Sequence, residues 1–201
     1  GVHVALVEQP YRVEGRRAPA PARQLDEAWL AVTARLAEGV FADLPLVFGG
    51  RSSGARVACR TAAAGGALAV LCLAFPLHPP GRPDKSRHDE LDRVDVPVLV
   101  VQGDRDPFGR PEPRAGREIV LLSDDHSLKA NSVAVGRAVA EWLRRSLRPR
   151  GHHVSGLCEC RRRTARTADT GAEIAPEWAR QAGRCSKRGN HSPETFSPGR
   201  A

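Results

Sequence analysis

Methionine is absent from this 201-residue chain, aromatic residues make up only 4% of it, and lysine is scarce. Each shortage excludes something. A nucleic-acid binder interleaves a basic stripe with aromatic side chains, and so few aromatics leave no such surface. No apolar run approaches the ~18 residues that a membrane helix requires; the longest, Ala67 to Phe75, has the length of a strand. No signal peptide is legible, because the N-terminus runs straight into a strand-like segment. The five cysteines are odd in number and suggest no disulfide framework. Cys59 and Cys72 fall in predicted core elements, where a free thiol behaves as a small hydrophobe. The expected compartment is therefore a reducing cytoplasm.

Arginine, alanine, glycine and proline are what the chain has in excess. The preponderance of arginine over lysine reads as a GC-rich coding bias rather than a selected basic surface. Residues 151–201 carry half of the formal charge of +8. The length suffices for one domain with a real core.

Strands and helices alternate along the first three quarters of the sequence. Residues 2–7 (Val-His-Val-Ala-Leu-Val) form a short apolar run closed by Gln9-Pro10 and read as a strand. Residues 13–23, rich in Arg, Pro and Ala, read as a loop. Leu25, Trp29, Val32, Leu36 and Val40 recur at steps of three and four, the period of an amphipathic helix. An apolar strand over residues 44–48 leads into a glycine-rich turn, and a helix follows it to Gly65-Gly66. Residues 67–75 predict a strand buried on both faces, as in parallel sheets. The proline-rich stretch 76–83 forbids regular structure. A short helix around residues 86–94, strands at 96–101 and 117–122, and a helix faced by Val135, Val139, Leu143 and Leu147 complete the pattern. Five strands separated by helices predict an α/β fold with a mostly parallel sheet. After Arg150 the aliphatics thin out and no period persists, a composition that cannot offset its ordering entropy. The expected organisation is a folded domain over residues 1–148 and a basic, disordered tail over 149–201, with a short helix near Ala175–Ala182.

Gly50-Arg51-Ser52-Ser53-Gly54 reads G-x-S-x-G at a strand-to-helix turn. Such a turn holds its serine clear of the sheet, and the flanking glycines are expected to let the strained backbone pass. Ser52 is the candidate nucleophile of this elbow. Downstream, Gly103-Asp104-Arg105-Asp106-Pro107 ends one strand, and Asp106 is the candidate acid, with Asp104 second. His126 follows the next strand. A serine hydroxyl needs an imidazole to take its proton, and a buried carboxylate fixes the tautomer of that imidazole. The order Ser52, Asp106, His126 is that of α/β-hydrolases, each residue falling just after a predicted strand.

These stretches, together with residues 4–13, Leu25-Asp26-Glu27-Ala28-Trp29, residues 75–81 (Phe-Pro-Leu-His-Pro-Pro-Gly) and Asp125-His126-Ser127, resemble the bacterial branch of a small α/β-hydrolase family. A testis-expressed protein and the hydrolase-like domain of a histone acetyltransferase complex subunit belong to it. The resemblance covers roughly residues 2–147 and implies a fold and triad similar to those of dienelactone hydrolases and esterases. In that family earlier strands and a glycine-rich loop, which supplies one oxyanion donor, precede the segment with which this sequence begins. The domain is therefore expected to be N-terminally incomplete, with the Ser53 backbone N–H as the nominated oxyanion donor. The strand that would lie between residues 2–7 and 44–48 is missing from this reading, which leaves those two unpaired or forces them together.

The expected function is hydrolysis of a small carboxylic ester or related acyl substrate, without metal or cofactor. The alternative is a catalytically inactive hydrolase-like fragment or protein-interaction module. A phosphate loop is excluded because Ala55-Arg56 stands where Lys-Ser/Thr is needed, and the dinucleotide fingerprint fails at Arg51. His152, His153, Cys158, Cys160, Cys185 and His191 match no structural zinc spacing. Arg161-Arg162-Arg163 reads as a solvated charge run. His78 is expected to line the substrate pocket.

Overall fold

A computed structural model describes residues 2–147. The expectations for the tail, its short helix and its Cys/His pairs lie outside the described residues. Four strands, β1 (Val47–Arg51), β2 (Ala69–Leu73), β3 (Val98–Gly103) and β4 (Arg117–Leu122), form one all-parallel sheet in the order of the sequence. The register aligns Gly50 with Cys72, Cys72 with Val100 and Val100 with Ile119. The helices are α1 (Pro10–Val13), α2 (Ala22–Glu38), α3 (Ser53–Thr61), α4 (His88–Asp92) and α5 (Ser132–Ser146).

Strand alternation sends side chains to two cores. Phe48, Val70, Cys72, Val98 and Val100 pack with Ala55, Ala58 and Cys59 of α3 and Leu91 of α4. Trp29 of α2 closes this face with its ring edge-on to Phe48, centroids 5.4 Å apart. On the opposite face Ala69, Leu99 and Val101 pack against Trp142 of α5 and Leu128. All six residues of β3 are buried, which explains its continuous apolar run. β2 departs from its expectation. Leu71 and Leu73 are only half-buried, lying at the margin of the core that α5 closes.

Residues 2–7 were expected to be a strand and are not. Among the described residues no strand lies on the outer edge of β1. Without a neighbour to accept its ladder hydrogen bonds, an apolar segment has nothing to make it a strand, and Leu6 is 95% exposed. The helix expected over 25–40 forms as α2. However, Val40 lies beyond its end, and Val32 faces outward, Thr33 taking the buried position. The Thr33 hydroxyl is satisfied by the Trp29 carbonyl at 2.9 Å.

Ion pairs tie the helices around α3. Arg56 bonds both oxygens of Glu90 on α4, and Arg60 both oxygens of Asp26 on α2. Burial pushes the Glu90 carboxyl up, but the bonds from Arg56 and the nearby Arg60 outweigh it and hold the group below its ordinary range. Asp92 is also held low, by hydrogen bonds from Arg117 and Arg114. A carboxylate whose folded pKa is depressed stabilises the fold above its unfolded value, about 4 for these groups, and loses that contribution as pH falls through the folded one. Thermal unfolding is thus expected to occur at a steady temperature from pH 7 to 5 and to drop steeply below about pH 4. Glu90→Gln is expected to lower the midpoint at pH 7 and flatten the acid limb.

Candidate active site

The carboxyl ends of β1, β3 and β4 deliver the three residues singled out above. β1 turns sharply into α3 at Ser52, whose φ of 52° is positive in a non-glycine residue. Such a conformation costs on the order of 1–3 kcal/mol and persists only where the surroundings enforce it. One constraint is the bond from Ser52 N–H to the Leu73 carbonyl, 2.9 Å, which extends the β1–β2 ladder through the turn. Ala74, with φ of 50°, repeats the device one strand over by donating to the Val101 carbonyl at 2.8 Å.

The two glycines of the motif are not equivalent. A Cβ on Gly50 would lie 2.2 Å from the Gly54 carbonyl carbon and 2.6 Å from the Ala55 nitrogen, so the turn closes only over glycine. A Cβ on Gly54 would meet nothing within 4 Å. The expectation that both glycines relieve the turn therefore holds for Gly50 alone.

The structure brings Ser52, His126 and Asp106 into one hydrogen-bonded chain. Ser52 Oγ lies 2.9 Å from His126 Nε2, and His126 Nδ1 lies 2.8 Å from Asp106 Oδ2. Asp106 is an acceptor, so Nδ1 carries the proton on that side and Nε2 is left to accept from the serine hydroxyl. The Asp106 side chain is fully buried, and Oδ1 accepts the Phe108 backbone N–H at 2.9 Å. Asp104 is not part of the chain. It accepts the Asp124 N–H at 3.1 Å and braces the histidine loop instead.

Several residues that hold the site gave no motif signal. Gln102, fully buried at the end of β3, points its amide nitrogen at Asp106 Oδ2 (2.7 Å), the Gly109 carbonyl (3.0 Å) and the Phe75 carbonyl (3.2 Å). Its own oxygen has no partner among the described residues. Buried Asp124 fastens the histidine loop by accepting from Asp125 N–H and Asn131 N–H. Gly103 lets that loop approach, since a Cβ there would sit 2.4 Å from the Asp124 carbonyl oxygen. The Phe108 ring lies against the His126 imidazole, centroids 4.3 Å apart. Arg51 donates to the His126 carbonyl at 2.9 Å.

Ser53 is the first residue of α3, a position whose N–H has no intrahelical acceptor. It opens with Ser52 onto a cleft of about 290 Å³ bounded by Leu25, Pro76 and Phe108 and by Arg56, Arg60 and Arg87. His78, expected to line the pocket, does not border this cleft. Its ring packs on the backbone of Gly109, and its Nδ1 faces the Pro79 carbonyl oxygen at 2.9 Å. Cys59 and Cys72 are buried free thiols, Sγ to Sγ 3.5 Å. Among the described residues no helix is long and apolar enough to cross a membrane, and no three His, Cys, Asp or Glu side chains are placed to hold a metal ion.

A serine on a strand-to-helix turn, faced by residues from the next sheet-edge loops of a parallel sheet, is the architecture of the α/β-hydrolase class. The chain belongs to the alpha/beta hydrolase domain family, whose model matches residues 1–144. No curated protein matches it in sequence. Among solved structures it is similar to a serine hydrolase without a lid from Xanthomonas campestris, at 23% identity and a TM-score of 0.51, over 65% of this chain and 60% of that one. It is also similar to an esterase from Pyrococcus furiosus, at 14% identity and a TM-score of 0.50, over 65% of each chain. An α/β serine hydrolase homologue from Coxiella burnetii matches at 17% identity and a TM-score of 0.48, over 64% of this chain and 62% of the other. The likeness is one of fold, and the chain spans less than two thirds of the length of each.

Proposed function

We propose that the protein is a serine hydrolase acting on a small carboxylic ester or related acyl substrate. The observation that carries this reading is the unbroken path from Asp106 through His126 to Ser52, 2.8 and 2.9 Å per link, ending on a cleft. Ser52 Oγ attacks the carbonyl carbon while His126 Nε2 takes its proton, and Asp106 stabilises the imidazolium that forms. The Ser53 N–H donates to the oxyanion of the tetrahedral intermediate. His126 then returns the proton to the leaving alcohol, and the Ser52 acyl ester remains. A water deprotonated by His126 attacks that ester, releases the acid and restores the serine. This sequence requires no metal or cofactor. The compartment that goes with it is the reducing cytoplasm, where the two buried thiols persist.

A fluorophosphonate probe with mass-spectrometric mapping of the adduct tests this reading. Labelling is expected at Ser52 in the folded protein and is expected to vanish in Ser52→Ala. A folded sample that takes no label would overturn the reading and leave a hydrolase-like module without an activated serine.

A further inference from the structure

The cleft beside Ser52 has an uneven charge balance. Three guanidinium groups border it, and two carboxylates answer them among the described residues. Arg56 donates to both oxygens of Glu90 at 2.8 and 2.5 Å. Arg60 donates to both oxygens of Asp26 at 2.8 and 2.6 Å, and once more to Glu90 at 3.2 Å. Both carboxylates are therefore paired to Arg56 and Arg60. Arg87 is left with a single bond, from Nη1 to the Pro76 carbonyl at 2.9 Å, and no carboxylate within 4.0 Å among the described residues.

This leaves a partly buried cation with no carboxylate paired to it among the described residues. Burial first, then repulsion from Arg56, hold the Arg87 guanidinium below its ordinary range, with Glu90 opposing only in part. A charge that has lost part of its water gains when an opposite charge meets it. The group is also preoriented. Its bond to Pro76 uses one donor and ties the side chain to the loop after β2, leaving other donors of a planar fork suited to a carboxylate. The surroundings narrow the ligand further. A single uncompensated positive charge matches the −1 of a carboxylate, whereas a phosphate monoester near −2 would leave one of its charges unmet. A cleft of about 290 Å³ suits a ligand of a few carbon atoms rather than a long acyl chain.

We propose that Arg87 is a substrate-binding residue and that the cleft takes a short ester bearing a free carboxylate, which Arg87 holds while the ester carbonyl faces Ser52. The inference deepens the hydrolase reading by naming its substrate class, and it rests on that reading for the position of the ester. The anion site itself is independent of turnover, so binding tests it. The protein used is Ser52→Ala, in which no acyl-enzyme can form. Monomethyl succinate and its neutral counterpart dimethyl succinate are titrated by calorimetry or by protein-observed NMR.

The monoanion is expected to bind about tenfold more tightly than the diester, the scale of one charge-assisted pair. That advantage is expected to shrink as ionic strength rises. Arg87→Met in the same background is expected to bring the two dissociation constants together, and Arg87→Lys to restore part of the difference. Equal affinity for the two esters, binding of neither, or a preference that survives Arg87→Met in a folded protein would each overturn the proposal. If Arg87→Met does not fold, the comparison of the two esters and its salt dependence still decide. Anion binding at Arg87 without fluorophosphonate labelling of Ser52 would remove the hydrolase reading and leave the anion site standing.

Discussion

Replacing Asp106 by asparagine is expected to lower esterase turnover by about four orders of magnitude while leaving the sheet folded. The reason lies in the donors that surround this carboxylate. Oδ2 accepts from Gln102 Nε2 and from His126 Nδ1, and Oδ1 accepts from the Phe108 N–H. Asparagine has one acceptor and one donor to offer these positions. With its amide nitrogen toward His126, it faces the Gln102 amide donor and forces His126 Nδ1 to accept. The proton then sits on Nε2, and Ser52 has no base. With its amide nitrogen turned the other way, it meets the Phe108 N–H donor to donor. Either orientation leaves a buried polar group unsatisfied, at about 1–3 kcal/mol. Steady-state kinetics on a small chromogenic ester, beside a thermal melt, separates the catalytic loss from the structural one. Asp104→Asn is the control, because Asp104 braces the loop by one 3.1 Å bond and does not touch the imidazole. Its rate is expected to change by less than about tenfold. The opposite ranking of the two variants would reassign the acid.

Gly50→Ala is expected to be the most damaging single-carbon change in the elbow, and Gly54→Ala one of the mildest. The added carbon at position 50 would fall 2.2 to 2.6 Å from main-chain atoms of Gly54 and Ala55. No rotamer can relieve a clash with backbone, so β1 or α3 has to move and Ser52 moves with it. A destabilisation of about 3 kcal/mol, the top of the usual overpacking range, follows. In a domain of this size that is a melting temperature lower by roughly 10 °C. At position 54 the added carbon meets nothing within 4 Å, and the residue is already helical. Alanine there restricts the unfolded chain, and a gain of about 0.4–1 kcal/mol is expected. Thermal unfolding of both variants checks the contrast. Equal melting temperatures would mean that the turn does not depend on the close approach at Gly50.

The features that sequence made legible are those with a local physical cause. β4 coincides with its expected span, residues 117–122, because an apolar run with a clear start and stop needs no knowledge of its neighbours. The serine turn was legible because only a few residue types tolerate its backbone. Asp106, rather than Asp104, could be preferred from its place before Pro107, but what separates them is a distance to an imidazole twenty residues away. Residues 2–7 show the opposite case. Their apolar alternation is strand-like, yet a strand exists only through a partner, and its presence is not written in the segment itself. Gln102 and Asp124 were missed for a related reason. Each is a buried polar side chain whose value comes from groups that converge on it after folding. Arg87 could not be told apart from the other arginines until Glu90 and Asp26 were seen to be committed elsewhere.

Gln102 has a bearing on how this edge of the sheet can vary. One amide nitrogen sits within 3.2 Å of carbonyls from two separate loops and of the buried carboxylate, while the oxygen of the same amide goes unpartnered. The loop after β2 and the loop after β3 thereby meet at one atom, and the bond from the His78 N–H to the Phe108 carbonyl, 3.0 Å, ties them a second time. Insertions or deletions in the first loop are tolerable only beyond His78, and those in the second only beyond Gly109. Length variation that could reshape the pocket is thus channelled into two permitted stretches, the proline-rich run after residue 78 and the segment from 110 to 116, whereas the five residues from Gln102 to Asp106 behave as a fixed span.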